Sequence, residues 1–372
     1  MRPTYAAVNL SAIQQNLKCV RKIIGKKPFI MAVVKANAYG HGMLPIAETI
    51  IKNKSAEYFG VALVEEGIAL RKAGVTLPIA VLTAPDDEQL GLYLQYNLEL
   101  TLCSIITAKK LDVLANSMGK QANVHIKIDT GMGRIGITPK ETMEFIAEVQ
   151  SLENIFIKGI STHFATSDEK NLSYAHKQLS IFQTLVQNIK HSTSLEPIIH
   201  CANSGAILQM KESHFDMVRP GIMMYGYFPS QSIRKKVLLH PVMSVYSHIA
   251  FLKVVEKGTS IGYGRKYITK KKTTIATITV GYADGISRNL SQKLEVIINK
   301  KKYTIAGTIA MDQIMVDVGL HHDIQVGDSV IIIGKDSAKQ ITAWDIANQL
   351  QTIPYEITCA ISERIPRKYI YG

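Results

Sequence analysis

Lys35 is the residue around which the chemistry of this sequence gathers. In AVVKANAYGHG (residues 32–42) it follows Ala32, Val33 and Val34, a run that reads as the end of a buried strand, and it precedes the turn-forming Asn37, Gly40 and Gly42. An unpaired ammonium is costly to bury, so a lysine here needs partners or a covalent use. Other polar residues fall in comparable places. Arg134 lies in KIDTGMGRIG, while Thr162-His163, Asn203-Ser204 and Arg219-Pro220-Gly221 each follow an apolar run. An amine in an apolar cleft with several donors suits Schiff-base chemistry, because burial lowers its pKa and frees the nitrogen.

The elements that must position these residues alternate. Ser11-Ala-Ile-Gln14 reads as a capping box opening a helix, with Ile13, Leu17, Val20 and Ile24 along one face. Strand-like runs follow at 29–35, 58–63, 78–83, 98–103, 122–129, 155–161, 197–202 and 215–219, with helix-length segments at 43–53, 65–73, 104–117, 139–151 and 171–191. Eight such alternations predict an α/β fold, a closed (β/α)8 TIM barrel over residues 1–239. Past 240 the pattern turns strand-rich: 273–280, 294–298, 303–309 and 329–333, with a hairpin over 295–307. A C-terminal mainly-β domain is expected over 240–372. In a barrel the chemistry lies at the C-terminal strand ends, so Lys35, Arg134, His163, Ser204 and Arg219 are expected to converge on one mouth.

Pyridoxal phosphate is the natural carbonyl partner for Lys35. Its phosphate would meet backbone N–H groups at Asn203-Ser204-Gly205 and Gly221-Ile222, and its ring nitrogen would meet Arg219.

Composition narrows the alternatives. The 372 residues are 47% hydrophobic and 20% charged, which suits a globular chain of more than one domain. Four cysteines, Cys19, Cys103, Cys201 and Cys359, are widely spaced, as expected in a reducing compartment, and no signal peptide or apolar span is read, so a cytoplasmic protein is expected. The net charge of +13 raises nucleic acid, but Lys26-Lys27, Arg234-Lys235-Lys236, Lys270–Lys272 and Lys300–Lys302 are short runs with few interleaved aromatics, which read as solvated surface. No nucleic-acid or membrane partner is expected. No HExxH, carboxylate cluster, GxSxG elbow or GxxxxGK[ST] loop occurs, and the adjacent His321-His322 read as a loop pair, so no metal is expected. Gly131-Met-Gly133-Arg-Ile-Gly136 fits GxGxxG, yet the next helix starts near Pro139, after the glycines, and the next strand ends without an acidic residue for a ribose.

VVKANAYGHG resembles the cofactor-attachment motif of alanine racemases. KIDTGMGRIG, STHFATSDE, HCANSGA, MVRPGIMMYG, IGYGRKY, VGYADG, GTIAMDQIMVD, TIPYEI and RIPRKY are similar to segments of that family in the same order, across nearly the whole chain. The resemblance implies interconversion of L- and D-alanine, supplying D-alanine for bacterial peptidoglycan. It implies that Lys35 holds pyridoxal phosphate and acts as one base, and that Tyr263 is the other, reaching the partner's site in a homodimer with shared active sites. Arg219 would bond the ring nitrogen, with His163 linking it to Tyr263. Tyr39, Asn203, Ser204, Gly221, Ile222 and Tyr355 would surround the phosphate. Arg134 and the backbone of Met311 would hold the substrate carboxylate. Lys127 matches a position often carbamylated in the family. Where the family usually has serine before the catalytic tyrosine, this chain has Gly262, expected to loosen the backbone at Tyr263.

Two bases of unlike type on opposite faces allow inversion at a carbon, and a guanidinium at the ring nitrogen donates a hydrogen bond but hardly a proton, which favours racemisation over transamination. The nearest rival within the cofactor class is a decarboxylase of basic amino acids, which would not grip the carboxylate and would not need Tyr263.

Overall fold

In the computed structural model, residues 3–233, 237–320 and 323–372 are described. Arg234-Lys235-Lys236 and His321-His322 lie outside them. The chain divides into two compact units, Ile13–Ala38 with Met43–His240, and Met1–Ala12 with Tyr39–Gly42 and Pro241–Gly372.

The strand that opens the chain, β1 (Tyr5–Asn9), belongs to the second unit. The first unit is the barrel. Its strands are β2 (Phe29–Val33), β3 (Tyr58–Val61), β4 (Ile79–Val81), β5 (Glu99–Leu102), β6 (Ala122–Lys127), β7 (Ile155–Ser161), β8 (Ile198–His200) and β9 (Met217–Val218). They pair in parallel in chain order, and β9 returns to β2 through Phe29–Met217 and Ile30–Val218. Between β8 and β9 the circuit is completed by Asp216 N–H to Ile199 O at 3.0 Å and Arg219 N–H to Ala202 O at 2.8 Å. The near-continuous apolar runs suit parallel strands buried on both faces; Met31, Tyr58, Ala80 and Met217 form one core cluster. Tyr225, fully buried, spends its hydroxyl on Val33 O at 3.0 Å.

Helices follow the strands at Met43–Lys52, Val64–Lys72, Ile105–Ser117, Thr142–Gln150 and Ser173–Ser192. Leu90–Gln95 is a helix that the sequence pattern did not indicate, being only six residues long. The first helix, Leu10–Ile24, buries Ile13, Leu17, Val20 and Ile24 as expected. Its start differs from the expected capping box: Asn9 Oδ1 accepts from Ala12 N at 3.1 Å, and Gln14 turns away to donate to Thr49 O. An asparagine satisfies the orphan amide as well as a serine does, two residues earlier.

The second unit holds a nine-stranded sheet. It contains β10 (Met243–Val255), β13 (Thr273–Ile278), β14 (Glu295–Ile298), β15 (Lys301–Thr304), β16 (Ile314–Gly319), β17 (Ser329–Asp336), β18 (Lys339–Ile341) and β19 (Arg367–Ile370), and a separate pair joins β11 (Ser260–Ile261) to β12 (Tyr267–Ile268). The expected hairpin is β14–β15, turned by Asn299 and Lys300 at φ 46° and 64°, the paired positive angles of a type I′ turn. Two helices, Ala343–Leu350 and Pro354–Ala360, depart from the mainly-β expectation locally. The boundary between the two units falls at His240/Pro241, and Met1–Ala12 group with the second unit. β1 pairs antiparallel with β10 and parallel with β19, so its backbone groups are satisfied in the second sheet.

Candidate active site

β2 ends at Val33, two residues before Lys35, and the chain then enters a left-handed turn. Ala36, Asn37, Ala38 and Tyr39 have φ between 52° and 54°, followed by Gly40 at 82°. L-residues pay roughly 1–2 kcal/mol each for this conformation, so the surroundings must hold it. Glu66 accepts from Ala36 N at 2.6 Å and from Ala62 N at 2.8 Å, Asn37 Oδ1 accepts from Met43 N at 2.8 Å, and Ala38 N–H returns to Val34 O at 2.8 Å. Lys35 is half-buried at the head of this turn.

Four basic side chains act on His163. Burial and then the charges of Lys127, Arg219, Arg134 and Lys35 hold its ring well below the usual histidine range. Arg219 is buried, and burial pushes its guanidinium down to about 10. It donates to Thr162 O at 2.8 Å and Cys201 O at 3.1 Å, lies 3.3 Å from His163 Nδ1, and donates to His200 Nδ1 at 2.7 Å. Lys127, at the end of β6, is held well below the usual lysine range by burial first, then by Arg219 and Arg134. That shift favours the uncharged, nucleophilic form of its amine.

Arg134 is exposed, on a loop built around an internal carboxylate. Asp129 accepts from the amides of Gly131, Met132 and Gly133 at 2.7–3.1 Å, and despite the opposing effect of burial these donors keep its carboxyl below the usual range. This accounts for the GxGxxG pattern. The loop amides that a dinucleotide phosphate would need serve Asp129, and the following helix begins only at Thr142.

Ser204 and Gly221 meet directly: Gly221 N–H donates to Ser204 Oγ at 3.0 Å, and Met223 N–H approaches it at 3.5 Å. An oxygen that accepts from backbone amides has its own hydrogen left to donate. Asn203 uses Oδ1 to accept from Ala206 N and Ser167 Oγ, leaving its amide nitrogen as the donor end. Ile222 begins the short helical turn Ile222–Tyr225 and is fully buried. This donor set, with a strand-end amine and a buried guanidinium, fits a phosphorylated pyridine aldehyde: hydroxyl and amide donors for the phosphate, a guanidinium for the ring nitrogen, an amine for the carbonyl.

The remaining expected residues belong to the second unit. Tyr39 packs on Tyr355 with ring centroids 5.8 Å apart, and burial pushes its phenol up, so it stays protonated. Arg367 braces this segment, donating to Gly40 O at 3.0 Å and to Ser362 O and Ile365 O at 2.6 and 2.8 Å. Tyr263 is 70% exposed and Met311 52% exposed. Gly262 is not a loosened position. At φ 72° and ψ −174° it occupies a region essentially open only to glycine, and Thr308 Oγ1 donates to Tyr263 O at 2.9 Å, fixing the next residue.

The sequence reading missed Glu99, His125 and His200, which are buried and linked to Arg219. Their signal was an ionisable residue inside each of the apolar runs ELTL, NVHIK and IIHC. Among the described residues no group of three histidine, cysteine, aspartate or glutamate side chains could hold a metal ion, and no helix is long and apolar enough to cross a membrane.

Comparison with known proteins extends over both units. Residues 8–229 match the alanine racemase N-terminal domain and residues 242–369 the alanine racemase C-terminal domain. The chain is 44% identical to an alanine racemase of Halothermothrix orenii, over 99% of this chain and 97% of that protein. It is 42% identical to alanine racemase 2 of Caldanaerobacter subterraneus subsp. tengcongensis, over 100% and 96%. Among solved structures, an alanine racemase of Clostridium difficile 630 superposes with a TM-score of 0.95 at 40% identity, covering 100% of this chain and 97% of that one. With both domains matched at this identity and coverage, the chain belongs to the alanine racemase family.

Proposed function

We propose that this chain interconverts L- and D-alanine with pyridoxal 5′-phosphate as cofactor, supplying D-alanine for cell-wall peptidoglycan. The observation that carries the reading is the cluster at the barrel mouth, where the Lys35 amine, the neutral His163 and the buried Arg219 occur together. When bound, the cofactor supplies a carbonyl that condenses with amines and a conjugated ring that acidifies the substrate's α-hydrogen. Lys35 takes or returns that proton on one face, and the Tyr263 phenol does so on the other. Arg219 donates a hydrogen bond to the ring nitrogen without giving up its proton. His163, held neutral, carries the influence of Arg219 toward Tyr263 as a hydrogen-bonded ring and not as a second cation.

Tyr39 and Tyr355, with Asn203, Ser204, Gly221 and Ile222, bind the phosphate, and Arg134 with the Met311 backbone binds the substrate carboxylate. Lys127 reacts with carbon dioxide: its nitrogen forms the C–N bond and releases one proton, leaving an anionic carbamate. The nearby charges of Arg219 and Arg134 support this, because they disfavour an ammonium there and favour an anion. Tyr263 is exposed on its own chain, which suits a base that completes the site of a second copy in a homodimer. Four widely spaced cysteines suit the reducing cytoplasm.

A racemisation assay on L-alanine, D-alanine and L-serine tests the reading, with Lys35→Ala and Tyr263→Phe as variants. Conversion of both alanine enantiomers, abolished by Lys35→Ala, is expected. Turnover by Tyr263→Phe at the native rate in both directions would remove the two-base assignment.

A further inference from the structure

A line of four buried ionisable side chains crosses the barrel interior from β5 to the segment after β9. Glu99 Oε2 lies 2.6 Å from His125 Nε2, His125 Nδ1 lies 2.9 Å from His200 Nε2, and His200 Nδ1 lies 2.7 Å from Arg219 Nη1. None of the four is more than 6% exposed. Barrel interiors are ordinarily filled by branched aliphatic side chains, and a buried carboxylate persists only where it is paired and hydrogen-bonded.

The protons follow from one end of the line. A guanidinium only donates, so His200 Nδ1 is bare and the ring hydrogen sits on Nε2. That hydrogen points at His125 Nδ1, which must be bare in turn. His125 then carries its hydrogen on Nε2 and donates to the Glu99 carboxylate. Any other arrangement puts two hydrogens into one of the gaps. All bonds therefore run in one direction, from Arg219 to Glu99, and each polarises the next. Burial, reinforced by the charge of Arg219, holds His200 well below the usual range, in keeping with a neutral ring.

A second observation concerns a missing side chain. β7 lies between β6 and β8, so His125 reaches His200 across it, in register with Gly159. A Cβ on Gly159 would stand 2.2 Å from His125 Nδ1 and 2.6 Å from its Cε1. The φ of this glycine is not in the left-handed region, so its backbone does not require glycine; the space for the histidine ring does.

We propose that Glu99 is a positioning residue, which acts through His125 and His200 to anchor the Arg219 guanidinium at the barrel mouth and to offset part of its charge. The inference rests on the reading above in that Arg219 faces the cofactor ring. Removing the carboxylate charge leaves the guanidinium less well held and more strongly electron-withdrawing toward whatever it touches.

Holoenzyme labelled with 15N-histidine tests the relay without any variant. Nitrogen NMR is expected to find both His125 and His200 as Nε2–H tautomers with downfield protons; a hydrogen on His200 Nδ1 overturns the proposal. Glu99→Gln retains an acceptor oxygen but not the charge. It is expected to lower kcat about tenfold, as lost support behind a functional group commonly does, with KM within about twofold. The His125 Nε2 proton should move upfield and the cofactor absorbance maximum should shift. Gly159→Ala, which retains all four relay residues, should change both histidine signals and reproduce the fall in kcat. Native kcat and absorbance in Glu99→Gln overturn the proposal. An Arg219→Lys holoenzyme with an unaltered absorbance maximum overturns the placement of Arg219 at the ring, a failure distinct from that of the tautomer assignment.

Discussion

Glu66 Oε1 accepts the amide hydrogen of Ala36 at 2.6 Å, and so fixes the first residue of the left-handed turn that follows Lys35. The same carboxylate accepts from Ala62 and Leu63, the two residues before its own helix. One acidic side chain therefore serves both as a helix cap and as an anchor for strained backbone beside the reactive lysine. Strain held this way is a feature of functional sites, where neighbouring structure over-determines a costly conformation.

Ala36 is exposed with φ 52°, so replacing its methyl group relieves strain without opening a cavity. Ala36→Gly is expected to stabilise the chain by about 1 kcal/mol. A urea midpoint at or below the native value would show that the turn is not strained at this residue.

Acid should destabilise the fold before its carboxylates titrate. His163 and His200 are held below their unfolded value of about 6.5, so below that pH the unfolded chain binds protons that the folded chain does not. Stability is then fully present above about pH 6.5 and falls as pH drops, by up to about 1.4 kcal/mol per pH unit for each ring. Urea unfolding at pH 7.5 and 5.5 measures this, and equal stability at the two values would mean that the folded rings accept protons.

Burial and the charges of Arg219 and Arg134 hold the Lys127 ammonium well below the usual lysine range. With 13C-bicarbonate, the protein is expected to show a carbamate carbon resonance that is absent from Lys127→Ala. Loss of the anion beside Arg134 should raise KM for alanine about tenfold, the equivalent of one charge-assisted hydrogen bond. The absence of the resonance from the native protein at saturating bicarbonate would rule the modification out.

Gly262→Ser installs the residue more usual in the family, yet here it should be harmful. The backbone at φ 72° and ψ −174° excludes a side chain, and the new Cβ would stand 2.8 Å from Met315 Cε. A loss of about 1–3 kcal/mol in stability is expected, together with a lower kcat as Tyr263 shifts. Combining it with Met315→Ala should recover little, because the side-chain clash is the smaller part. Full recovery in the double variant would assign the cost to packing instead of backbone strain.

The barrel was legible because parallel strands buried on both faces must be apolar, and the turns between them must be polar. Lys35, His163, Ser204 and Arg219 were singled out for the same reason, each standing where an apolar run stops, and Arg134 because it lies on the loop after one. Glu99, His125 and His200 were not, since one ionisable residue inside an apolar run has no periodicity to mark it. β1 was assigned to the barrel by position along the chain, because a five-residue strand carries no sign of which sheet will pair with it. The Asn9 cap was overlooked because serine and asparagine satisfy the same amide, and the sequence offered both within three residues.

By itself the sequence determined the alternation of strand and helix, the change of pattern near residue 240, and the residue types at the strand ends, all of which depend on local composition and spacing. Tertiary structure decided the rest. It decided that four consecutive residues take left-handed angles, which Glu66 enforces from elsewhere in the chain by accepting from Ala36 N. It also decided that Gly159 clears a path for a histidine from the neighbouring strand. Both depend on groups distant in sequence meeting within a few ångströms, and no local pattern encodes that meeting.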